Sequence, residues 1–446
     1  MPDIAGVPYF ELEFDKDVKL VHPEQQKAIL DALDGDSVPT DLVVMSHGWN
    51  NDMGEARQLY GEFFKNYVAD RMSDGTIPAR RLAIVGVLWP SKKFAEHDLI
   101  PGGAASAGND VAADKVLMEQ IGILESVVGK DLSEIRALVP QLKDTKSARE
   151  KFSNAVLALI PQDVGAEDDQ NLKPSSVAIA VAEDKLLDRL SRPAVTGPAG
   201  GGTGGAASIG GGGMKLGLVG GAAGLGDLFS GVKAGAMNLL NVTTYYQMKS
   251  RAGAVGESGV NPLLRAIRAK VPGIRIHMIG HSFGARVVTA ATAGAEKDAP
   301  IGVTSVSLLQ AAFSHYAFAE NWDGKNGNGL FRRMIAPAGK YVTGPMIITH
   351  THADKAVGVA YAIASRAGRQ NASGLGDATD QYGGLGGNGA QKTPGTVDLK
   401  INTKGERYAF TAGKVHNVDG NGVIESHGDI RRTEVTHAAA DALRTT

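Results

Sequence analysis

Ile274-Arg275-Ile276-His277-Met278-Ile279 runs into Gly280-His281-Ser282-Phe283-Gly284 and on into Ala285-Arg286-Val287-Val288-Thr289-Ala290-Ala291. The order reads as a buried strand, a serine between two glycines, and a helix reaching about Ala295. In a chain with 58 glycines, a Gly-x-Ser-x-Gly match decides little by itself. Its setting decides more, because a serine on a strand-to-helix turn must adopt a strained backbone. Gly280 and Gly284 lack side chains, so the strand end and helix start can close around Ser282. Such a turn lifts the hydroxyl above the sheet, and the following helix directs its N-terminus at developing negative charge. The plainer reading is a serine N-cap in a βα turn.

Upstream, Tyr9-Phe10-Glu11-Leu12-Glu13-Phe14 alternates as an edge strand does. Asp41-Leu42-Val43-Val44-Met45-Ser46 is a continuous apolar run, the mark of a buried parallel strand. The loop His47-Gly48-Trp49-Asn50-Asn51 follows, then an amphipathic segment from Met53 to about Arg71. Leu82–Leu88 is a second buried strand, closed by Trp89-Pro90. Strand, helix, strand in this order predicts an α/β chain with a mostly parallel, doubly wound sheet. Downstream, helices are expected over 239–252 and 262–270, and strands over Val303–Leu309 and Pro345–Thr349. Tyr408-Ala409-Phe410-Thr411 begins a last strand region, and Thr433–Leu443 reads as a closing helix.

Between Trp89 and about Gly235 the strand rhythm stops. Helical patterns occupy 111–128, 132–142, 148–160 and 175–190, followed by a glycine-rich tract from Pro193 to Gly226. The chain therefore divides into 1–90 and 236–446 as two parts of one core, with 91–235 as a helical, glycine-rich insertion. The insertion reads as a cap packed on the core or as a lid hinged on the glycine tract, with an independent domain as the alternative. A second glycine-rich stretch, 367–395, reads as a surface excursion.

A formal net charge of −2, with both signs interspersed, offers no basic stripe for a phosphate backbone, so no nucleic-acid partner is expected. With no cysteine, disulfides, thiolate metal sites and a cysteine nucleophile are all excluded. Met1-Pro2-Asp3-Ile4-Ala5-Gly6 lacks the basic and apolar regions of a signal peptide. A cytoplasmic location is the default expectation, with signal-independent export left open. No apolar run reaches the length of a membrane span.

The strand–Gly280-His281-Ser282-Phe283-Gly284–helix unit, preceded by a strand–His47-Gly48-Trp49 loop, resembles the α/β-hydrolase superfamily. Within it, the chain is similar to bacterial serine esterases and lipases whose oxyanion loop begins with His-Gly. The resemblance covers about residues 40–90 and 260–446; nothing corresponds to 91–235. It implies an α/β-hydrolase fold and a nucleophilic Ser282. It also implies an oxyanion hole made by the backbone N–H groups of Phe283 and Trp49.

The superfamily order of nucleophile, acid and histidine places the base late in the chain. His427, in Glu425-Ser426-His427-Gly428-Asp429-Ile430, precedes the closing helix and is the first choice; His416 is the runner-up. His437 falls within the closing helix and reads as a helix-surface residue. Asp354, just past 345–349, is the expected acid, with Asp323 as the alternative placement. His350-Thr351-His352 with Asp354 also has the look of a small metal-ligand cluster, but no His-Glu-x-x-His motif accompanies it, and no metal or cofactor is expected. Asp419-Gly420-Asn421-Gly422 resembles the start of a calcium loop, yet the twelfth position is Ile430 rather than glutamate, so a turn is expected.

These residues imply hydrolysis of carboxylic esters through an acyl-enzyme. A small-molecule or lipid ester is the expected substrate, with transient membrane-surface contact if the substrate is lipid. The partly apolar tract around Leu216–Phe229, with the helical insertion, suits a lidded acyl-chain pocket. Two other readings stand beside this one: a lipid-directed phospholipase acting as a toxin effector, and a binding protein on the same fold without turnover.

Overall fold

The computed structural model describes residues 2–35, 38–72, 80–91, 110–161, 186–191, 231–337, 339–354, 383–403 and 405–446. The chain forms two compact units. One comprises Met1–Lys92, Arg251–Val357 and Gly384–Thr446; the other comprises Lys93–Ser250 and Gly358–Gly383.

The first unit is built on one nine-stranded sheet. Its strands are β1 Asp3–Ile4, β2 Val7–Glu13, β3 Asp41–Ser46, β4 Leu82–Leu88, β5 Arg275–His281, β6 Ser305–Leu309, β7 Met346–His350, β8 Val397–Lys400 and β9 Val415–Asp419. They lie in the order β1-β2-β4-β3-β5-β6-β7-β9-β8, and every pairing is parallel except β1 with β2. The protein is therefore of the α/β class. Every residue of β3, β4 and β6 is buried, as parallel strands covered on both faces must be.

Five helices of this unit matter for the site: α1 Pro23–Asp31, α2 Met53–Met72, α3 Asn261–Lys270, α4 Phe283–Ala293 and α5 Thr433–Arg444. On α2, Ala56, Leu59, Tyr60, Phe63, Phe64 and Tyr67 recur at intervals of three and four and form one apolar stripe. That stripe packs with Val43, Met45, Ile84 and Leu88 of the sheet and with Val435, Ala439 and Leu443 of α5. Each of the larger apolar side chains among them contributes about 1.5–3 kcal/mol by leaving water. Helix α4 has no exposed residue at all. A π-helical turn over Val255–Val260 packs against it, and Gly256 lets the two backbones meet, since a Cβ there would overlap the Val287 carbonyl.

Register places the functional strand ends side by side. Ser46 pairs with Gly280, His281 with Leu309, Leu309 with Thr349, and His350 with Asp419. The loops that leave β3, β5, β6, β7 and β9 all emerge at the C-terminal edge of the sheet, where α/β folds place their ligand sites.

Some sequence expectations need correction. The 9–14 run is not the edge: β1 lies outside it, and its outward Glu11 and Glu13 are drawn to Arg57 of α2. Tyr408–Thr411 is not strand. Tyr408 and Phe410 stack at 4.6 Å in a loop over Ile347 and Val418, and the strand itself is β9. His437 is buried rather than on the helix surface, because its Nδ1 meets Asp70 Oδ2 at 2.9 Å and its Nε2 meets the Glu406 carbonyl at 2.8 Å.

The second unit contains helices and no strand among its described residues. They span Asp110–Val128, Ser133–Leu138, Lys146–Leu157 and Leu186–Leu190, and Val232–Ala254 continues past its boundary. Thr145 caps the third of these by accepting the Ala148 N–H at 3.2 Å. The unit runs on to Ser250 rather than stopping at 235, within the continuous helix that starts at Val232. The glycine tract at 193–226, the 216–229 stretch, the 175–185 part of the expected helix and the 367–382 part of the second glycine-rich stretch lie outside the described residues.

Candidate active site

Strand β5 ends at His281 and α4 begins at Phe283, so Ser282 alone makes the turn. Its φ of 57° and ψ of −122° belong to a region that non-glycine residues rarely occupy, at a cost of about 1–3 kcal/mol. Three backbone hydrogen bonds hold it there. Ser282 N–H donates to Leu309 O at 3.1 Å, and Ser282 O accepts from Ala285 and Ala312 N–H at 3.1 and 3.2 Å. The glycines do what the spacing implies. A Cβ on Gly280 would overlap Gly284 O and Ala285, and one on Gly284 would overlap the Ser46 and His47 carbonyls. Neither glycine has a positive φ, so both are needed for closeness rather than for backbone freedom.

The loop after β3 lies directly against this turn. A Cβ on Gly48 would sit 2.6 Å from Ser282 Cβ and 3.1 Å from Ser282 Oγ. The Gly48 carbonyl accepts from His47 Nδ1 at 2.9 Å, Ser91 Oγ at 2.9 Å and Asn51 Nδ2 at 3.2 Å. A trans peptide is planar, so fixing Gly48 O also fixes the opposed N–H of Trp49. His47 is itself locked in place. Its Nε2 accepts the Trp89 N–H at 3.2 Å, its ring stacks on Trp89 at 5.5 Å, and its own N–H donates to Tyr60 Oη at 2.8 Å. Burial lowers its pKa to about 4, so it stays neutral with the proton on Nδ1. The Trp49 and Phe283 rings lie 5.9 Å apart beside the serine.

The expected base and acid meet. His427 Nδ1 donates to Asp354 Oδ2 at 2.8 Å, and both residues are buried. Asp354 follows β7, and His427 follows β9 in a loop folded around Asp429, which accepts the N–H groups of Glu425 and Ser426. The two loops are tied together. Thr351 Oγ1 donates to Ile424 O at 3.0 Å, and His352 N–H donates to Asn421 Oδ1 at 2.9 Å. Gly386 covers the acid, since a Cβ there would approach Asp354 Oδ2 to 2.9 Å.

His427 stands beside the serine turn. Its ring lies 4.9 Å from that of His281, whose Nε2 donates to the His427 carbonyl at 2.9 Å. With Nδ1–H committed to Asp354, His427 Nε2 carries the lone pair. Ser282 Oγ and His427 Nε2 are both buried and have no hydrogen-bond partner among the described residues, so they do not bond each other. Such bonds are often long without substrate and tighten when it binds.

The alternative candidates are engaged elsewhere. His416 lies within β9, where its Nε2 accepts the Thr411 N–H at 3.0 Å and its Nδ1 donates to Met346 O at 3.3 Å. Asp323 folds its own turn by accepting the N–H groups of Lys325 and Gly327, each at 2.8 Å. Among the described residues, no group of three or more His, Asp or Glu side chains could hold a metal ion. Asp419–Gly422 is a turn in which Asp419 Oδ1 accepts from Asn421 N and Nδ2.

Ser91, Asn51, Asn421, His281 and Gln310 also shape the site, with roles that no sequence pattern indicated. Gln310, buried with a φ of 41°, follows the residue whose carbonyl anchors Ser282, and it exchanges hydrogen bonds with Thr349 at 2.8 and 3.2 Å. Four of them act on distant stretches of chain: Ser91 on Gly48, Asn421 on His352, His281 on His427 and Gln310 on Thr349. The strained Gln310 backbone is invisible in a residue string. The chain matches no protein-family model, no curated protein and no solved structure.

Proposed function

We propose that this protein is a serine hydrolase of carboxylic esters, acting through an acyl-enzyme on Ser282 and built on an α/β-hydrolase fold. One observation carries the reading. Among the described residues, a buried hydroxyl on a strained strand-to-helix turn and a buried imidazole nitrogen lack hydrogen-bond partners, while the far side of that imidazole is held by a carboxylate. Unsatisfied buried polar groups are costly in a folded protein, and they persist where substrate completes them. The fold reading draws support from the order of parts along the sheet edge. The His-Gly loop follows β3, the serine β5, the acid β7 and the base β9.

In the proposed reaction, His427 Nε2 takes the Ser282 proton as Oγ attacks the ester carbonyl, and Asp354 stabilises the resulting imidazolium. The carbonyl oxygen becomes an oxyanion held by the Trp49 and Phe283 N–H groups. The first is set by the pinned Gly48 peptide, and the second belongs to the opening residue of α4. The tetrahedral intermediate then collapses. The alcohol leaves with the proton from His427, and the acyl group stays on Ser282. Water, deprotonated by His427, attacks that ester, and a second collapse releases the carboxylic acid and restores the hydroxyl.

The test is hydrolysis of p-nitrophenyl esters of increasing acyl length by the full chain and by Ser282→Ala, together with fluorophosphonate labelling. Turnover and labelling confined to the wild type are expected. Absence of both, or equal turnover by the alanine variant, would refute the reading and leave a binding protein on this fold. A preference for long chains that sharpens above lipid aggregation would assign a lipase or phospholipase rather than an esterase for soluble substrates. Among the described residues, no helix is long and apolar enough to cross a membrane.

A further inference from the structure

His281 occupies the variable position of the Gly280–Gly284 motif, where the pattern demands no particular residue. Its surroundings are specific nonetheless. The side chain is buried, its Nε2–H donates to the His427 carbonyl at 2.9 Å, and its ring lies 4.9 Å from that of His427. The bond joins residues 146 positions apart and, among the described residues, links the end of β5 directly to the backbone of the base. The base loop is also held to the acid loop through Thr351 and Ile424 and to α2 through Asn66 and the Arg431 carbonyl, and neither tie reaches the serine turn itself.

The geometry points to His281 as a positioning residue: its Nε2–H tether to the His427 carbonyl sets the distance between the base and the Ser282 hydroxyl. This rests on the hydrolase reading and extends it to a residue the reaction never touches. The tether works only while His281 keeps a hydrogen on Nε2 and carries no charge beside an imidazolium. Burial meets the second condition, with the positions of His427 and His47 adding to it, and holds the His281 pKa down to about 3. His281 is thus neutral at neutral pH and keeps its Nε2–H for the His427 carbonyl.

The tether's length can be separated from its ring. The amide nitrogen of glutamine reaches about as far as His Nε2, whereas that of asparagine stops at the position of Nδ1. His281→Leu and His281→Asn should each lower kcat about 10- to 100-fold, in line with a displacement of the base by less than 1 Å. KM should stay within about threefold, since bound substrate is not contacted. His281→Gln should recover most of the loss. The low-field proton resonance of the His427–Asp354 bond should broaden in the leucine and asparagine variants and persist in the glutamine one.

If the leucine variant does not fold, the asparagine–glutamine contrast decides. A folded leucine or asparagine variant with kcat within threefold of wild type would overturn the inference, as would a glutamine variant as impaired as leucine. These failures differ from failure of the hydrolase reading, in which the wild type itself shows neither ester turnover nor fluorophosphonate labelling of Ser282.

Discussion

Replacing Gly48 by alanine adds one methyl group where the chain has no room for it. The new Cβ would lie 2.6 Å from Ser282 Cβ, whereas carbon atoms in contact settle at about 3.5–4.0 Å. The His-Gly loop and the serine turn must therefore separate by about 1 Å. The serine side cannot yield, because its backbone is fixed by Leu309, Ala285 and Ala312. The loop must move instead, and with it the peptide that carries the Trp49 N–H. A misplacement of this size costs about 100-fold in rate, or about 2.7 kcal/mol at 1.36 kcal/mol per tenfold. Overpacking adds a stability loss of about 1–3 kcal/mol, which leaves the fold intact.

Gly48 has an ordinary φ, so an alanine there meets no backbone penalty and the effect reports space alone. The assay is steady-state kcat on a p-nitrophenyl ester, with thermal unfolding measured in parallel. Gly61→Ala is the control, since a Cβ at that position on α2 meets nothing within 4 Å. A Gly48→Ala protein that keeps kcat within threefold of wild type would refute the placement of this loop against the nucleophile.

Three further outcomes are expected. Asp354→Asn removes the acceptor that sets the His427 tautomer and should lower kcat about 10³- to 10⁴-fold, while Asp323→Asn should leave kcat unchanged; the reverse pattern would reassign the acid. His427→Ala should abolish turnover, and His416→Ala should retain it while losing about 1–3 kcal/mol in denaturant titration, because the Thr411 N–H loses its acceptor; retained turnover without His427 would displace it as the base. Burial pushes the Asp41 carboxyl up, but hydrogen bonds from His277, Arg275 and Thr40 outweigh it and hold the pKa well below the usual carboxylate range. Its contribution is therefore complete above about pH 5 and lost as pH falls below about 4. Asp41→Asn should flatten the decline of denaturant midpoints between about pH 5 and pH 3, and an unchanged slope would count against it.

The parts of the fold that were legible in the sequence are those whose burial is complete. β3 and β4 face apolar layers on both sides, so their residues form unbroken apolar runs. The serine turn was legible because its glycines are needed for space and its strand and helix have opposite periodicities. β9 was missed because Val-His-Asn-Val-Asp looks polar, yet the His416 and Asn417 side chains are satisfied by Met346 O, Thr411 N and Asp398. β8 is four residues long and half exposed, too short to stand out. His437 looked like a surface residue because its partners, Asp70 and Glu406, are remote in sequence. The same remoteness hid Ser91 and Asn421, whose roles depend on pairings that no local pattern records.

The passage from β4 to β5 takes the chain through the whole Lys93–Ser250 portion of the second unit before the sheet resumes. Loop-closure entropy grows only with the logarithm of length, by about 0.6 kcal/mol per doubling. Lengthening a crossover from about 24 to about 190 residues therefore costs about 2 kcal/mol, a modest part of the 5–15 kcal/mol typical of a stable domain. The kinetic burden is larger. β3 must find β5 across more than two hundred residues before Ser46 can pair with Gly280, and non-local pairings of that kind fold slowly. In thermodynamic terms the sheet is nearly indifferent to what this crossover carries. By this measure an insertion there can lengthen or shrink at little cost in closure entropy, while Ser282, Asp354 and His427 remain in the segments that follow β5, β7 and β9.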